Sequence, residues 1–191
     1  MRIELVHVPK VVRVAGQLDS LFAMAMPMGL FALADRVDRL GHDVEIVHLG
    51  VELQTDRTFN LSDALVDSSP DLVGLSLHWH HQLADVLGQV VAIRAALPGV
   101  HLTVGGLTAT AFDRELLERY RAIDTIVRGD GELPLEQLLG CLVAGTELES
   151  VVNLTWRRGG EIVRNPLSWF ADEATLSATD FARLDLLRHA E

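Results

Sequence analysis

The chain has 191 residues and a formal net charge of −11 at pH 7, with 27 acidic residues against 16 lysines and arginines. This acidic balance argues against nucleic acid or an anionic membrane as a partner, because both are bound through clustered basic residues. The single cysteine, Cys141, excludes a disulfide framework, a thiolate zinc finger and an iron–sulfur cluster held within the chain. No apolar run reaches the ~18 residues that cross a bilayer, and no signal peptide is recognisable, so we expect a cytoplasmic protein.

Short apolar segments alternate with segments of helical periodicity over the first 145 residues. The predicted strands cover residues 3–8, 43–49, 72–77, 100–104 and 124–128. The predicted helices cover residues 27–40, 60–67, 81–97, 113–121 and 134–143. This alternation predicts an α/β domain over residues 1–145: a Rossmann-like, flavodoxin-type, doubly wound five-stranded parallel sheet with helices on both faces.

Residues 146–191 have a different pattern. Two apolar segments joined by Gly159-Gly160 predict a small β-hairpin, and the acidic stretch after Pro166 predicts a linker towards an absent domain. We expect residues 167–191 to be mobile in the isolated chain. The aromatic residues expected to pack against a partner domain are Trp169, Phe170 and Phe181.

In an open doubly wound sheet, ligands bind beyond the carboxyl ends of the strands, near the point where the strand order reverses. The sequence has no GxGxxG after the first strand and no GxxxxGK[ST], so it offers no support for a dinucleotide or P-loop site. A GxSxG nucleophile elbow is also absent. The acidic pair and lysine of a phospho-receiver domain are missing as well.

Three of the predicted strand ends carry a specific combination of residues. Ser76-Leu77 ends the third strand, Gly105-Gly106 ends the fourth strand, and the sequence VRGDGE at residues 127–132 follows the fifth. Together they resemble the cobalamin-binding domain of the B12-dependent radical S-adenosylmethionine enzymes. Further resemblances are the sequences PMGL at residues 27–30, GHDV at 41–44 and PDLVG at 70–74, so that the match covers residues 1–143.

The resemblance implies that cobalamin is the cofactor. Ser76 would hydrogen-bond to the dimethylbenzimidazole nitrogen, and the paired glycines would let the nucleotide tail lie against the backbone. The turn at residues 129–132 would offer backbone groups to the amides of the tail. The implied cofactor-binding residues are Pro9, Lys10, Arg13, Gln17, Ser76, Leu77, His78, Trp79, His80, Gly105, Gly106, Leu107, Thr108, Gly129, Asp130, Gly131 and Glu132.

The loop from Pro9 to Gln17 contains no histidine, whereas many cobalamin domains carry DxHxxG there to ligate cobalt. This absence favours the radical S-adenosylmethionine branch of the resemblance. The candidate cobalt ligands are His78 and His80. Two alternatives stay open for this histidine cluster: a first-row metal site in which His81 and Asp85 share a helix face, and a polar loop without a ligand.

The full enzyme would transfer a methyl group, and it needs a CxxxCxxC motif for the [4Fe-4S] cluster that cleaves S-adenosylmethionine. One cysteine cannot supply that motif. We therefore expect no catalysis by this chain alone, with the radical S-adenosylmethionine domain present as a missing C-terminal part or as a separate chain. The alternative is a non-enzymatic α/β ligand-binding or regulatory module, which would lack the colour of a corrin.

Overall fold

The computed structural model describes residues 1–10, 13–14, 17–18, 27–177 and 179–180. The strands in these ranges are β1 Arg2–His7, β2 Arg13–Val14, β3 Gln17–Leu18, β4 Asp43–His48, β5 Leu72–Ser76, β6 His101–Gly105, β7 Thr125–Val127, β8 Leu154–Arg158 and β9 Glu161–Arg164. The helices are α1 Met28–Arg39, α2 Leu49–Thr55, α3 Leu61–Ser68, α4 Leu83–Ala96, α5 Leu107–Ala111, α6 Asp113–Arg119, α7 Glu132–Ala144 and α8 Glu173–Ser177, with a 3-10 turn at His80–Gln82. None of the helices in the described ranges is long and apolar enough to cross a membrane.

The main sheet has the strand order β4-β1-β5-β6-β7-β8-β9. Its first five strands are parallel and confirm the predicted flavodoxin-type order, with the reversal of strand order between β1 and β5. Strand β8 pairs antiparallel with β7, and β9 pairs antiparallel with β8. The sheet therefore has seven strands, because the predicted hairpin continues it.

In addition to the short helix α8, a two-stranded ribbon and two short helices were not predicted. Strands β2 and β3 form a separate two-stranded ribbon within the loop that follows β1. Helix α2 begins directly after β4 without a turn signal in the sequence, and the five-residue helix α5 begins directly after Gly106. All three elements lie beyond the carboxyl ends of the parallel strands, where the ligand site is expected.

The parallel strands bury apolar side chains on both faces of the sheet, as is usual in a doubly wound fold. One face packs against α3, α4 and α6 through residues such as Leu75, Val104 and Ile126. The opposite face packs against α1 and α7 through residues such as Leu5 and Leu72. The site is therefore carried by a sheet whose strands are fixed from both sides.

The hairpin is attached to the domain by buried polar contacts around Asp113. This carboxylate is 3% exposed, and its Oδ2 accepts hydrogen bonds from Thr155 Oγ1 and Arg164 Nε, the latter at 2.8 Å. Arg128 Nε lies 3.6 Å from the same oxygen, and the Arg128 guanidinium donates to the carbonyl oxygens of Leu154 and Asn165. The hairpin predicted outside the domain is thus built into its sheet.

The chain after the hairpin is held by Asn153, which is fully buried and has a left-handed backbone with φ of 58°. Its side-chain oxygen accepts hydrogen bonds from Ser168 N at 2.9 Å and Trp169 N at 3.2 Å, and its amide donates to Trp169 O at 2.7 Å. The backbone N–H of Ala171 donates to Asp130 Oδ2 at 2.9 Å. Residues 168–171 are therefore hydrogen-bonded to the domain, the mobility expected from residue 167 onward stays a prediction, and the predicted Phe181 contact lies outside the described residues.

We predict that Asp113→Asn lowers the free energy of unfolding by about 3 kcal/mol, because it leaves the buried Arg128 guanidinium without a carboxylate. Chemical denaturation monitored by circular dichroism measures this loss. The control is Glu115→Gln, an exposed carboxylate two positions along the same helix. Equal stability of the two variants would show that the hairpin is not held by Asp113.

Candidate functional site

The last residues of the five parallel strands lie in one row across the sheet. The strand register pairs His48 with His7, His7 with Ser76, Ser76 with Gly105, and Gly105 with Val127. Because successive side chains alternate between the two faces of a strand, all five positions belong to the face covered by α1 and α7. We call these five residues the terminal row.

Ser76 and Gly105 occupy the middle of the terminal row and leave it open. The Ser76 side chain is half-buried, and its hydroxyl has no hydrogen-bond partner among the described residues. A Cβ atom at Gly105 would meet only Val127, at 3.6 Å from its carbonyl oxygen. A free hydroxyl therefore stands beside a position without a side chain, which suits a ligand that enters from the carboxyl edge.

Hydrogen bonds join the loops after β5, β6 and β7 into one unit. Leu77 N donates to Gly105 O at 2.7 Å, and both the backbone N–H and the hydroxyl of Thr108 donate to His78 O. The Thr110 hydroxyl donates to Gly106 O and accepts from Gly129 N, each at 2.9 Å. Some backbone N–H and C=O groups of these loops are therefore already engaged in hydrogen bonds between the loops.

Gly106 has a structural role that the sequence did not reveal. Its backbone has φ of 108°, and a Cβ atom there would lie 2.8 Å from Leu77 O and 3.0 Å from His78 Cα. No side chain fits at these distances because the neighbouring atoms are backbone. Gly106 is needed for the close approach of β5 and β6, and Gly105 is the one of the pair whose missing side chain leaves room for a ligand.

The histidine-rich loop after β5 is tethered to β1. Gln82 is buried, its side-chain oxygen accepts from Trp79 N at 3.0 Å, and its amide donates to Val8 O at 3.0 Å. The ring of His78 meets the Trp79 ring edge to face, with centroids 4.7 Å apart, and Trp79 is 54% exposed. The loop thus presents a fixed aromatic surface at the edge of the sheet.

The alternative metal pair at His81 and Asp85 is weakened by Lys10. The Lys10 ammonium lies 3.0 Å from Asp85 Oδ2 and forms an ion pair with it. Within the ranges that the structure describes, no three His, Cys, Asp or Glu side chains form a group that could hold a metal ion. His80 and His81 are exposed, with their ring centroids 5.8 Å apart.

The remaining predicted site residues differ in their burial and in the contacts that they already make within the protein. The Glu132 side chain has a buried Oε2 without a partner among the described residues. The Asp130 carboxylate holds Ala171 N, and a Cβ at Gly131 would lie 3.3 Å from Leu33 Cδ2. Pro9 and Leu77 are buried and Leu107 is exposed. For Arg13 and Gln17, the description covers only the backbone of β2 and β3.

Sequence reasoning missed His7 and His48, which end β1 and β4. Both are buried, and their ring centroids are 4.7 Å apart. His7 Nδ1 has no hydrogen-bond partner among the described residues, whereas His48 Nδ1 accepts from Val51 N at 3.3 Å. Burial lowers the pKa of His7 to about 3, with smaller contributions from the charges of His48 and His78. The only available signal was a histidine at the same place in two neighbouring predicted strands.

The arrangement suits a large ligand with both apolar and polar parts. Two buried polar atoms without a partner among the described residues lie at the carboxyl edge: His7 Nδ1 at the end of β1 and Glu132 Oε2 in the first residue of α7. The Ser76 hydroxyl, which also lacks a partner among these residues, lies at the same edge. Exposed apolar side chains at Trp79 and Leu107 stand at the same edge. The fold and the site define a flavodoxin-type domain, and the carboxyl ends of β1, β5 and β6 are where doubly wound sheets of this kind bind their ligands.

Comparison with known proteins identifies the family. Residues 19–139, more than half of the chain, match the family model described as the B12 binding domain, so the chain belongs to the B12-binding domain family. An uncharacterised methyltransferase of Pyrococcus horikoshii is 29% identical over 164 residues, covering 83% of this chain and 34% of that protein. The hopanoid C-3 methylase of Methylococcus capsulatus is 30% identical over 139 residues, covering 71% and 26%.

Two solved structures share the fold. The radical S-adenosylmethionine methyltransferase TsrM from Kitasatospora setae, with tryptophan substrate and an S-adenosylmethionine analogue bound, has a TM-score of 0.68 and 20% identity, covering 88% of this chain and 30% of that one. The cobalamin-dependent S-adenosylmethionine radical enzyme OxsB, with aqua-cobalamin and S-adenosylmethionine bound, has a TM-score of 0.68 and 19% identity, covering 88% and 22%. The chain therefore spans about a quarter to a third of the proteins that it matches.

The buried His7 predicts a specific acid sensitivity. Its folded-state pKa of about 3 lies below the ordinary value of 6.5, so only the unfolded chain gains a proton at this residue as the pH falls below 6.5. We therefore expect His7 alone to lower the free energy of unfolding by up to about 1.4 kcal/mol for each unit by which the pH falls from 6 to 4.

Denaturant unfolding at pH 7, 6, 5 and 4 measures this slope in the wild type and in His7→Asn. The variant should lose less stability over the range than the wild type does. His80→Asn, which replaces an exposed histidine, serves as the matched control and should keep the wild-type slope. A His7→Asn slope identical to that of the wild type would contradict the assignment of a buried, neutral His7.

Proposed function

We propose that this chain holds cobalamin at the terminal row and forms the corrinoid-binding part of a longer radical S-adenosylmethionine methyltransferase. The observation that carries the proposal is the free Ser76 hydroxyl beside the bare Gly105, in the centre of the row and next to the reversal of strand order. Membership of the B12-binding domain family supports cobalamin as the ligand.

In this proposal, Ser76 donates its hydroxyl hydrogen to the free nitrogen of the dimethylbenzimidazole base. Gly105 admits the base between β5 and β7 because a side chain there would occupy the space beside Val127. The exposed faces of Trp79 and Leu107 cover apolar parts of the ligand and exclude water from them. When bound, cobalamin supplies a cobalt centre suited to methyl transfer.

A side chain that would ligate cobalt is a separate element of the proposal. The candidates are the imidazoles of His78 and His80, on the loop that Gln82 tethers to β1. Of the two, His78 has the more restricted side chain, because its ring packs against Trp79 whereas His80 is exposed. The remaining cofactor-binding residues proposed on this edge include Thr108, Gly129 and Glu132.

The rest of the enzyme would supply the reaction itself. A [4Fe-4S] cluster and S-adenosylmethionine would bind to a radical S-adenosylmethionine domain outside this chain, because the one cysteine here cannot hold a cluster. Residues 168–171, which Asn153 and Asp130 hold against the end of β7, would lead the chain towards that domain. A cytoplasmic location is part of the same proposal.

We predict that the wild-type chain retains hydroxocobalamin through desalting and that Gly105→Val loses at least about tenfold in affinity. The added side chain projects from the terminal row into the space proposed for the base, while Gly105 has no left-handed backbone that would strain a valine. Titration followed by the corrin absorption bands measures the affinity. Gly88→Val is the control of equal size, on the exposed surface of α4 with no atom near its Cβ position.

Loss of binding in Gly105→Val, with a wild-type circular dichroism spectrum and full binding by Gly88→Val, is the expected outcome. Equal affinity of the wild type and Gly105→Val would place the ligand elsewhere. A wild-type protein that remains colourless after reconstitution would favour the regulatory or ligand-binding module without cobalamin.

A further inference from the structure

His7 is the residue of the terminal row whose polar group has no assigned use. It is 7% exposed, and its Nδ1 has no hydrogen-bond partner among the described residues. The buried histidine beside it does have a partner, because His48 Nδ1 accepts a hydrogen bond from Val51 N at 3.3 Å. Leaving a buried polar nitrogen unpaired is unfavourable, so a structural role alone does not account for His7.

The position of His7 connects it to the proposed ligand site. His7 is the register partner of Ser76 on the neighbouring parallel strand, across the point where the strand order reverses. Adjacent strands lie only about 4.8 Å apart, so a planar base that reaches Ser76 also extends over the strand of His7. The His48 ring, 4.7 Å away on the other side, limits the movement of the His7 ring.

We propose that His7 forms a hydrogen bond with the nucleotide end of bound cobalamin, an inference that rests on the proposed function. A neutral imidazole carries one N–H and one unprotonated nitrogen. It can therefore donate a hydrogen bond to a base nitrogen or a phosphate oxygen, and it can donate to or accept from a ribose hydroxyl. His7 and Ser76 together then bind the nucleotide end, and they give the protein a means to distinguish a complete corrinoid from one without a nucleotide.

The test compares cobalamin with cobinamide, which has the same corrin ring but lacks the base, ribose and phosphate. Binding of hydroxocobalamin and of diaquacobinamide is titrated by absorption for the wild type, His7→Phe and His7→Asn. His7→Phe keeps a flat ring but removes both nitrogens, whereas His7→Asn keeps a polar group close to the position of Nδ1. His42→Phe, near the opposite edge of the sheet, is the control substitution.

We expect His7→Phe to weaken cobalamin binding by about tenfold to a hundredfold, with cobinamide affinity unchanged within about twofold. His7→Asn should recover part of the loss, and His42→Phe should bind both ligands as the wild type does. Thermal unfolding verifies that each variant is folded, and His7→Leu, which also lacks both nitrogens, serves as the decisive variant if His7→Phe does not fold.

Equal losses for cobalamin and cobinamide would overturn the inference, because they would mean that His7 acts on the domain as a whole. Unchanged affinity for cobalamin of the variant that lacks both nitrogens, His7→Phe or His7→Leu, with no difference between the two ligands, would also overturn it. A wild-type chain that binds neither corrinoid would instead refute the proposed function, and the inference with it.

Discussion

The register of the five parallel strands is the constraint on which the site depends. Residues from positions 7 to 127 of the chain meet in one row only because β4, β1, β5, β6 and β7 end at matched positions. A shift of one residue in any strand would send its terminal side chain to the opposite face of the sheet. The apolar side chains buried on both faces of the sheet prevent such a shift. The packing of the core therefore also determines which side chains stand at the carboxyl edge.

Two further features fix the structure around the terminal row: the close backbone packing at Gly106 and the buried charge of Asp113. Gly106 lets the end of β6 approach β5 so closely that Leu77 N donates to Gly105 O and Thr108 N donates to His78 O. Asp113 then secures the hairpin to the far side of the same sheet through Thr155 and Arg164. The loops after β5, β6 and β7 are therefore hydrogen-bonded to one another, and the hairpin continues the sheet that carries them.

The sequence was sufficient for the five parallel strands, because apolar runs and helical periodicity alternate clearly over the first 145 residues. It also indicated Ser76 and Gly105 as neighbours, since both stand at strand ends. It could not distinguish the roles of Gly105 and Gly106, because the clash at Gly106 depends on the backbone of Leu77 in another strand. His7 was missed for a similar reason: in the sequence it is an ordinary polar residue at the end of an apolar run, and its missing partner is visible only in three dimensions.

The central claim is that a corrinoid occupies the carboxyl edge of the sheet at the terminal row. Hydrogen–deuterium exchange of the chain with and without hydroxocobalamin tests this claim most directly, because it reports the protected backbone segments without any substitution. We predict slower exchange at residues 76–80, 105–110 and 127–132, with no change at the opposite edge around Asp71, Gly99 and Asp124. Protection at that opposite edge, or no protection anywhere under saturating ligand, would contradict the account.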